Sequence, residues 1–326
     1  MKKICVTGAY GFIGKSVCET LVSNDKTVIG LVRNLKLSKN SNKITYLPID
    51  DIDFKTNLRN SLADADCVIH CAGKTPNTKN TGTDQIKFYH TENVEGTRQI
   101  AEQAFDAGVK KLIFLSSIKV NGENTYDNYN VTGKIHNVKK IFTHNDTASP
   151  EDLYAKSKLQ AEKTLWEISA RTGLEVVIVR LPLVYGYGVK GNLVKLIKLV
   201  KSGIPLPLSL IKNQRSMIGM DNLVDLLIRC IDHPKASGKT FLVSDGEDLS
   251  TPELIKLIAS SMGRKANLFP FPIYMLKFLA SVLGKREETN RLVGSLRIDN
   301  SYTKKILNWS PPISVEEGIR RMVQEK

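Results

Sequence analysis

Tyr154 and Lys158 stand four residues apart in YAKSK, and Leu115-Ser116-Ser117 closes an apolar run upstream. A spacing of four places the phenol and the ammonium on one face of a helix. A free tyrosine ionises at about pH 10, too high for a base at neutral pH, and a nearby cation stabilises its phenolate. A serine hydroxyl at the strand end would hold a substrate oxygen. Ser117, Tyr154 and Lys158 are therefore the candidate catalytic residues, for proton transfer at an alcohol or carbonyl. A surface tyrosine beside a solvated lysine explains an isolated YxxxK, but poorly one that follows Ser-Ser at a strand end.

The N-terminal strand runs into Gly8-Ala9-Tyr10-Gly11-Phe12-Ile13-Gly14, a GxxGxxG turn that opens a helix. Glycine is wanted there because the backbone turns tightly and approaches a pyrophosphate, whose charge rests on unpaired N–H groups of the helix start. The next strand, in VIGLVRN, ends in Val32-Arg33 where a carboxylate often stands. A carboxylate would accept hydrogen bonds from the adenosine ribose of NAD and repel the extra phosphate of NADP, whereas Arg33 could pair with that phosphate. NADP(H) is the favoured cofactor. NAD(H), with Arg33 lying in solvent beside the site, is the alternative. Asp51-Ile52, after the third strand, is placed to meet the adenine, and Ala72-Gly73, after the fourth, leaves room for the cofactor backbone.

Positioning these residues takes a sheet. Short β-branched runs (KKICVTG, TVIGLV, KITYLPI, DCVIHCA, KKLIFLSS, EVVIVRL) alternate with helical patterns such as FIGKSVCETLVSN and LYAKSKLQAEKTLWEISARTG. Runs apolar on both faces and separated by helices describe an α/β, doubly wound parallel sheet of the Rossmann type. We expect a dinucleotide-binding domain over 1–180, to which parts of 214–245 return, and a smaller C-terminal substrate domain over 181–326. The segment 271–285, FPIYMLKFLASVLGK, is apolar enough for a membrane-surface helix but carries few basic residues, so domain core or a dimer contact is its expected use.

The chain has 326 residues, 41% apolar and 25% charged, the composition of a globular protein. No run approaches the roughly 18 apolar residues of a membrane helix, and the N-terminus enters a strand rather than a signal-peptide core, so a cytoplasmic protein without an integral membrane segment is expected. The net charge of +14 is spread along the chain with no Arg-rich tail or nucleic-acid motif, which reads as a solvated basic surface and no nucleic-acid partner. Five cysteines without a CxxC spacing argue against a disulfide framework. In CVIHC a strand puts Cys67 and Cys71 on one face and His70 on the other, so no metal is assigned.

With these motifs in order, the sequence resembles the extended branch of the short-chain dehydrogenase/reductase family, among its nucleotide-sugar 4-epimerases and 4-ketoreductases. The match runs through TGAYGFIG, Asp51-Ile52, HCAG, NVEGT, SSIKVNG, YAKSK, VRLPLVYG, RSMIGMDNL and RLVGSLRID. The resemblance implies that Ser117, Tyr154 and Lys158 form the triad and that Lys158 and Tyr154 also meet the nicotinamide end of the cofactor. It puts Lys74, Asn93 and Pro182 with the cofactor as well. Lys119, Asn192, Arg215 and Arg291, with Ser117, resemble the positions that hold the UDP-sugar.

Dehydratases of the family carry an Asp-Glu pair after the catalytic serine, and Ile118-Lys119 occupies those positions here, so hydride transfer at C4 is what remains. The motif forms look most like enzymes of bacterial surface-polysaccharide (O-antigen) synthesis that handle UDP-N-acetylhexosamines. With Arg33, they imply reduction of a UDP-4-keto-6-deoxy-N-acetylhexosamine. A UDP-glucose or UDP-N-acetylglucosamine 4-epimerase is the alternative, and a non-catalytic NADP-binding redox regulator a third, against which the complete triad stands. Leu183 replaces an asparagine of the RxxNxYG pattern, which removes one expected sugar-nucleotide contact. The segment between Ser117 and Tyr154 is about a dozen residues longer than is usual, and a lid, an oligomer contact and a passive insertion all stay open for it. By analogy with the family a homodimer forms through helices over 84–107 and 153–172.

Overall fold

The computed structural model describes residues 2–35, 43–49, 57–75, 83–125 and 141–324. Elements follow in the order β1 (Lys3–Thr7), α1 (Phe12–Ser23), β2 (Thr27–Val32), β3 (Ile44–Pro48), α2 (Arg59–Leu62), β4 (Cys67–His70), α3 (Thr83–Tyr89), α4 (Gly96–Asp106), β5 (Lys111–Ser117), α5 (Leu153–Thr172), β6 (Glu175–Leu181) and β7 (Leu183–Tyr185). After them come α6 (Asn192–Ser202), β8 (Met217–Gly219), α7 (Met220–Asp232), β9 (Lys239–Leu242), α8 (Thr251–Ser261), α9 (Ile273–Val282), α10 (Arg286–Val293), α11 (Ser301–Leu307) and α12 (Val315–Val323).

Seven strands pair in parallel in the order β3-β2-β1-β4-β5-β6-β9, the doubly wound arrangement expected. The reversal of strand order at β1 and β4 opens a crevice at their carboxyl ends, where ligands bind in such sheets. Successive side chains alternate between faces, and both faces are covered. Ile4, Val6, Ile69, Ile113 and Val177 pack under α1 and α7, while Cys5, Val68, Leu112, Phe114 and Ile178 pack under α4 and α5. This two-sided burial is why the strands read as unbroken β-branched runs.

The helix expected over 84–107 is three pieces: α3, a π-helical turn at His90–Glu95, and α4. The extra residue of a π turn shifts the register of the following helix, and it carries Asn93 and Val94 inward. The other long helix is α5 as expected, closed by Gly173 in the left-handed region (φ 81°).

After β6 the chain builds a separate apolar cluster from Tyr185, Leu193, Val200, Leu206, Ile255, Ile258 and Ile319, while α7 and β9 go back to the large sheet. The expected core use of 271–285 is corrected here. In α9 only Ala280 is buried, with Ile273 and Leu276 partly packed on the C-terminal cluster, because one face of a ten-residue helix is all that this cluster can cover. The long segment between Ser117 and Tyr154 lies outside the described residues over 126–140. Its described ends dock on one stretch of chain, Thr125 N on Ser295 O and Phe142 N on Arg297 O, each at 2.8 Å. No helix among the described residues is long and apolar enough to cross a membrane.

Candidate active site

β5 delivers Ser117 to the carboxyl edge of the sheet, paired with Leu181 of β6, so the buried Pro182 follows directly beside it. The chain then tightens into a 3-10 turn at Ile118–Val120, and Ser117 Oγ accepts the Lys119 N–H at 3.3 Å. α5 starts where Asp152 caps it, Oδ1 accepting the Ala155 N–H at 2.6 Å, and Tyr154 sits in its first turn. The Tyr154 phenol hydrogen-bonds with Ser117; burial pushes it up to about 12, and that bond works the other way.

One turn on, Lys158 is buried, and burial pulls its ammonium down to about 8 while Glu162 opposes. Its Nζ donates to Leu115 O at 2.9 Å and lies 4.4 Å from the centre of the Phe114 ring. The three expected residues thus meet at the end of β5. The bond that favours the phenolate is made by Ser117, however, because the buried ammonium has taken the nearest carbonyl. Behind them Glu162 forms a two-point pair with Arg180 (3.0 and 2.6 Å), and Ser116 Oγ donates to the same carboxylate. Glu162 is one more turn along from Lys158, a spacing the sequence displays and the motif reading passed over.

The expected cofactor residues surround a cavity of about 460 Å3 lined by Gly8, Gly11, Arg33, Ala72, Gly73 and Lys74, among others. A dinucleotide fits the backbone here. Gly8 adopts φ 64°, and a Cβ on Gly14 would stand 2.2 Å from Gly8 O, so a side chain there would block the turn. α1 has neither a capping side chain nor an acid in its first turn, which leaves its N–H groups for an anion. Phe12 and Ile13 pack their side chains on the core and offer only backbone. A Cβ on Gly73 would meet Lys158 Nζ at 3.2 Å and Asn93 Oδ1 at 3.3 Å, so this cavity abuts the triad. Arg33 stands exposed at the rim. Asp51 and Ile52 lie outside the described residues.

Asn93 spends its amide on the protein: Oδ1 accepts Lys74 N at 2.9 Å, and Nδ2 donates to Lys74 O at 3.3 Å and Ser157 Oγ at 3.0 Å. It fastens the loop after β4 to the helix of Tyr154. The Lys74 ammonium turns to Glu92 at 3.6 Å. His70 hydrogen-bonds with Thr7 at 2.7 Å and Thr97 at 3.1 Å, and burial, then Lys158, drives its imidazole down to about 3. It is a neutral core histidine that holds the end of β4.

A second cavity, of about 580 Å3, lies beside the 3-10 turn and the start of α5, with Lys119, Arg215, Lys277, Arg291 and Asn290 in its wall together with the acids Glu123, Glu151, Asp152 and Glu287. Lys119 Nζ is gripped by Glu123 and Asp152, each at 2.6 Å. Burial raises Glu123, against the pull of Lys119; Asp152 is lowered overall, its burial outweighed by Lys119 and the Ala155 N–H. Arg215 donates to Arg291 O at 2.9 Å and Gly294 O at 3.2 Å, which brings the two expected arginines together. Asn192 is not brought there: it opens α6, exposed, and lines neither cavity. Lys277, Asn290 and Glu123 were missed, since nothing local ties them to the motifs.

Residues 4–244 match the model of the NAD dependent epimerase/dehydratase family. The chain belongs to this family. Within it, the chain is 38% identical to a UDP-glucose 4-epimerase of Vibrio cholerae, over 99% of this chain and 95% of that one. It is 26% identical to N-acetyl-alpha-D-glucosaminyl-diphospho-ditrans,octacis-undecaprenol 4-epimerase of Escherichia coli O157:H7, over 90% and 84%. Its fold matches that of UDP-glucuronic acid 4-epimerase from Bacillus cereus in complex with NAD, with a TM-score of 0.77 over 98% and 97% of the two chains at 22% identity. The chain is an enzyme of the NAD(P)-dependent nucleotide-sugar 4-epimerase and 4-ketoreductase branch. Nothing in these likenesses favours the NADP preference read from Arg33.

Proposed function

We propose that this protein is an NAD-dependent 4-epimerase of a hexose or N-acetylhexosamine joined to a diphosphate, UDP-sugars being the first class to test. The observation that carries the reading is the meeting of Ser117, Tyr154 and Lys158 next to the dinucleotide-sized cavity, with a second cavity that holds Arg215 and Arg291 beside the start of α5. Likeness to 4-epimerases supports epimerisation over the 4-keto reduction that Arg33 pointed to.

In this reading Arg215 and Arg291 bind the diphosphate and present the sugar ring to the end of β5, while Lys119 stays with Glu123 and Asp152 in the cavity wall. Ser117 orients the C4 oxygen, and Tyr154 takes its proton and gives it back. Lys158, a cation at the back of the phenol, lowers the cost of the phenolate. A nicotinamide dinucleotide, held by the Gly8–Gly14 turn, supplies the acceptance and return of the C4 hydride. Glu123 and Asp152 neutralise Lys119, so they are not free to serve as the additional acid and base of a dehydratase.

The test is to identify the copurified dinucleotide by mass and to follow UDP-GlcNAc and UDP-GalNAc, and UDP-Glc and UDP-Gal, by NMR. Bound NAD with interconversion of either pair is expected. Stoichiometric NADPH oxidation on a UDP-4-keto-6-deoxy-N-acetylhexosamine, with no interconversion, would restore the reductase reading.

A further inference from the structure

α9 and the residue after it turn Tyr274, Met275, Phe278, Leu279, Val282 and Leu283 outward, 74, 41, 67, 47, 71 and 69% exposed. Their spacing gathers them into one stripe, opposite Ile273, Leu276 and Ala280, which face the C-terminal cluster. A soluble monomer rarely leaves a contiguous apolar patch of this kind in water. Ile204, Leu210 and Phe269 of the same lobe are also exposed, on two stretches joined by the Phe269 N–H bond to Leu206 O.

Charge says what covers the stripe. Residues 189–219 and 254–286, which supply most of this lobe, each hold six Lys or Arg and no Asp or Glu. Lys277 lies within the stripe's helix, and Lys285 and Arg286 come after Gly284, ahead of the acidic pair Glu287-Glu288. An apolar helix face in a lobe where cations outnumber acids suits the boundary between anionic headgroups and acyl chains. A second copy of this chain would instead bring those cations against their own equivalents. Lys277 also lines the cavity that holds Arg215 and Arg291, so the helix of the stripe forms part of the wall that carries those arginines and Glu287. A water-soluble nucleotide carrier has no use for such a rim, whereas a diphosphate anchored in a bilayer lies at headgroup depth.

We propose that the outward face of α9 seats the protein on an anionic lipid bilayer, and that the adjoining cavity takes a sugar whose diphosphate is carried by a membrane-embedded isoprenoid lipid. The substrate half rests on the reading of the site as one for a sugar diphosphate; the docking half does not.

The full-length protein, wild type and Tyr274→Asp/Phe278→Asp, is floated with phosphatidylcholine vesicles with and without about 30% phosphatidylglycerol. Both proteins are then assayed on UDP-GlcNAc and on a polyprenyl-diphospho-GlcNAc held in the anionic vesicles, with Tyr154→Phe as the blank. Wild type should float with the anionic vesicles, and the double variant about tenfold less, with an unchanged melting temperature. Turnover of the lipid-carried sugar should fall about tenfold in the variant, and any turnover of UDP-GlcNAc should stay. Equal flotation of the two proteins, or none, overturns the docking, as does a wild-type dimer that the variant splits without any vesicle binding. Variant-sensitive flotation with turnover of UDP-GlcNAc alone overturns the lipid carrier. Variant-sensitive flotation with turnover of neither sugar supports the docking and overturns the sugar-diphosphate reading instead.

Discussion

Lys119 Nζ lies 2.6 Å from Asp152 Oδ2, and the other oxygen of that carboxylate caps the helix of Tyr154. One side chain therefore ties the wall of the cavity of Arg215 and Arg291 to the start of the helix that carries Tyr154. Asp152→Ala should cost about 1 kcal/mol of stability through the lost cap. It should also lower kcat/KM about tenfold or more, because Tyr154 then sits in a frayed first turn. Asp152→Asn, which keeps a cap acceptor, should recover most of the stability in urea denaturation and only part of the activity.

Tyr154→Phe removes the proposed proton carrier without removing the ring that packs edge-on against Tyr89 at 6.2 Å. Loss of a positioned acid–base group costs about 100- to 10,000-fold in turnover. The loss should fall on kcat, with KM for the sugar diphosphate within about threefold, since the phenol acts on the transition state. A loss mainly in KM would make Tyr154 a binding residue.

Lys158 provides a pH signature. Burial lowers its ammonium from the usual 10.5 to about 8 in the folded chain, so the unfolded chain binds the proton more tightly. Below pH 8 both states are protonated and the folded chain bears the full cost of the buried charge. From pH 8 to about 10.5 the folded state loses the proton first and the cost shrinks. Lys158→Met should therefore be more stable than wild type at pH 7, by roughly 1–3 kcal/mol less the lost bond to Leu115 O. Denaturation midpoints of the two should converge by pH 10. A difference independent of pH would mean that the ammonium is solvated.

At the glycine turn, the methyl of Gly14→Ala would stand 2.2 Å from Gly8 O. The backbone must move to admit it, at a cost of about 1–3 kcal/mol. Because the same carbonyl shapes the pyrophosphate turn, the variant should purify without dinucleotide, as read by absorbance and mass. Retention at full occupancy would show that the turn has slack.

Glu162 and Arg180 are both buried, and removing one leaves the other charged without a partner. Glu162→Ala should lose about 3–5 kcal/mol, while the double change Glu162→Met/Arg180→Met should lose much less. Calorimetry on the three proteins gives the coupling directly.

Much of this site is legible along the chain because its logic is local. Tyr154 and Lys158 need only a helix between them, and Gly8, Gly11 and Gly14 only a strand that becomes a helix. Asn93 shows where that stops: its motif is visible, but the sequence cannot show that a π-helical turn aims its amide at Lys74 and Ser157. Arg215 and Arg291 could be named separately, yet their contact joins positions 76 residues apart. For 271–285 the apolar composition was plain, but of its expected uses the domain core does not hold for the outward face, since composition does not say how much of a helix its neighbours will cover.

What the sequence determined by itself was the alternation of two-sided strands with helices, the glycine turn and the Tyr154–Lys158 spacing, all set by neighbours within a few residues. Which groups ended buried, and so where Tyr154 and Lys158 titrate, was decided only when distant segments packed around them. The same packing covered one face of α9 and left the other bare. Solvent exposure belongs to the assembled surface, and no local stretch of sequence encodes it.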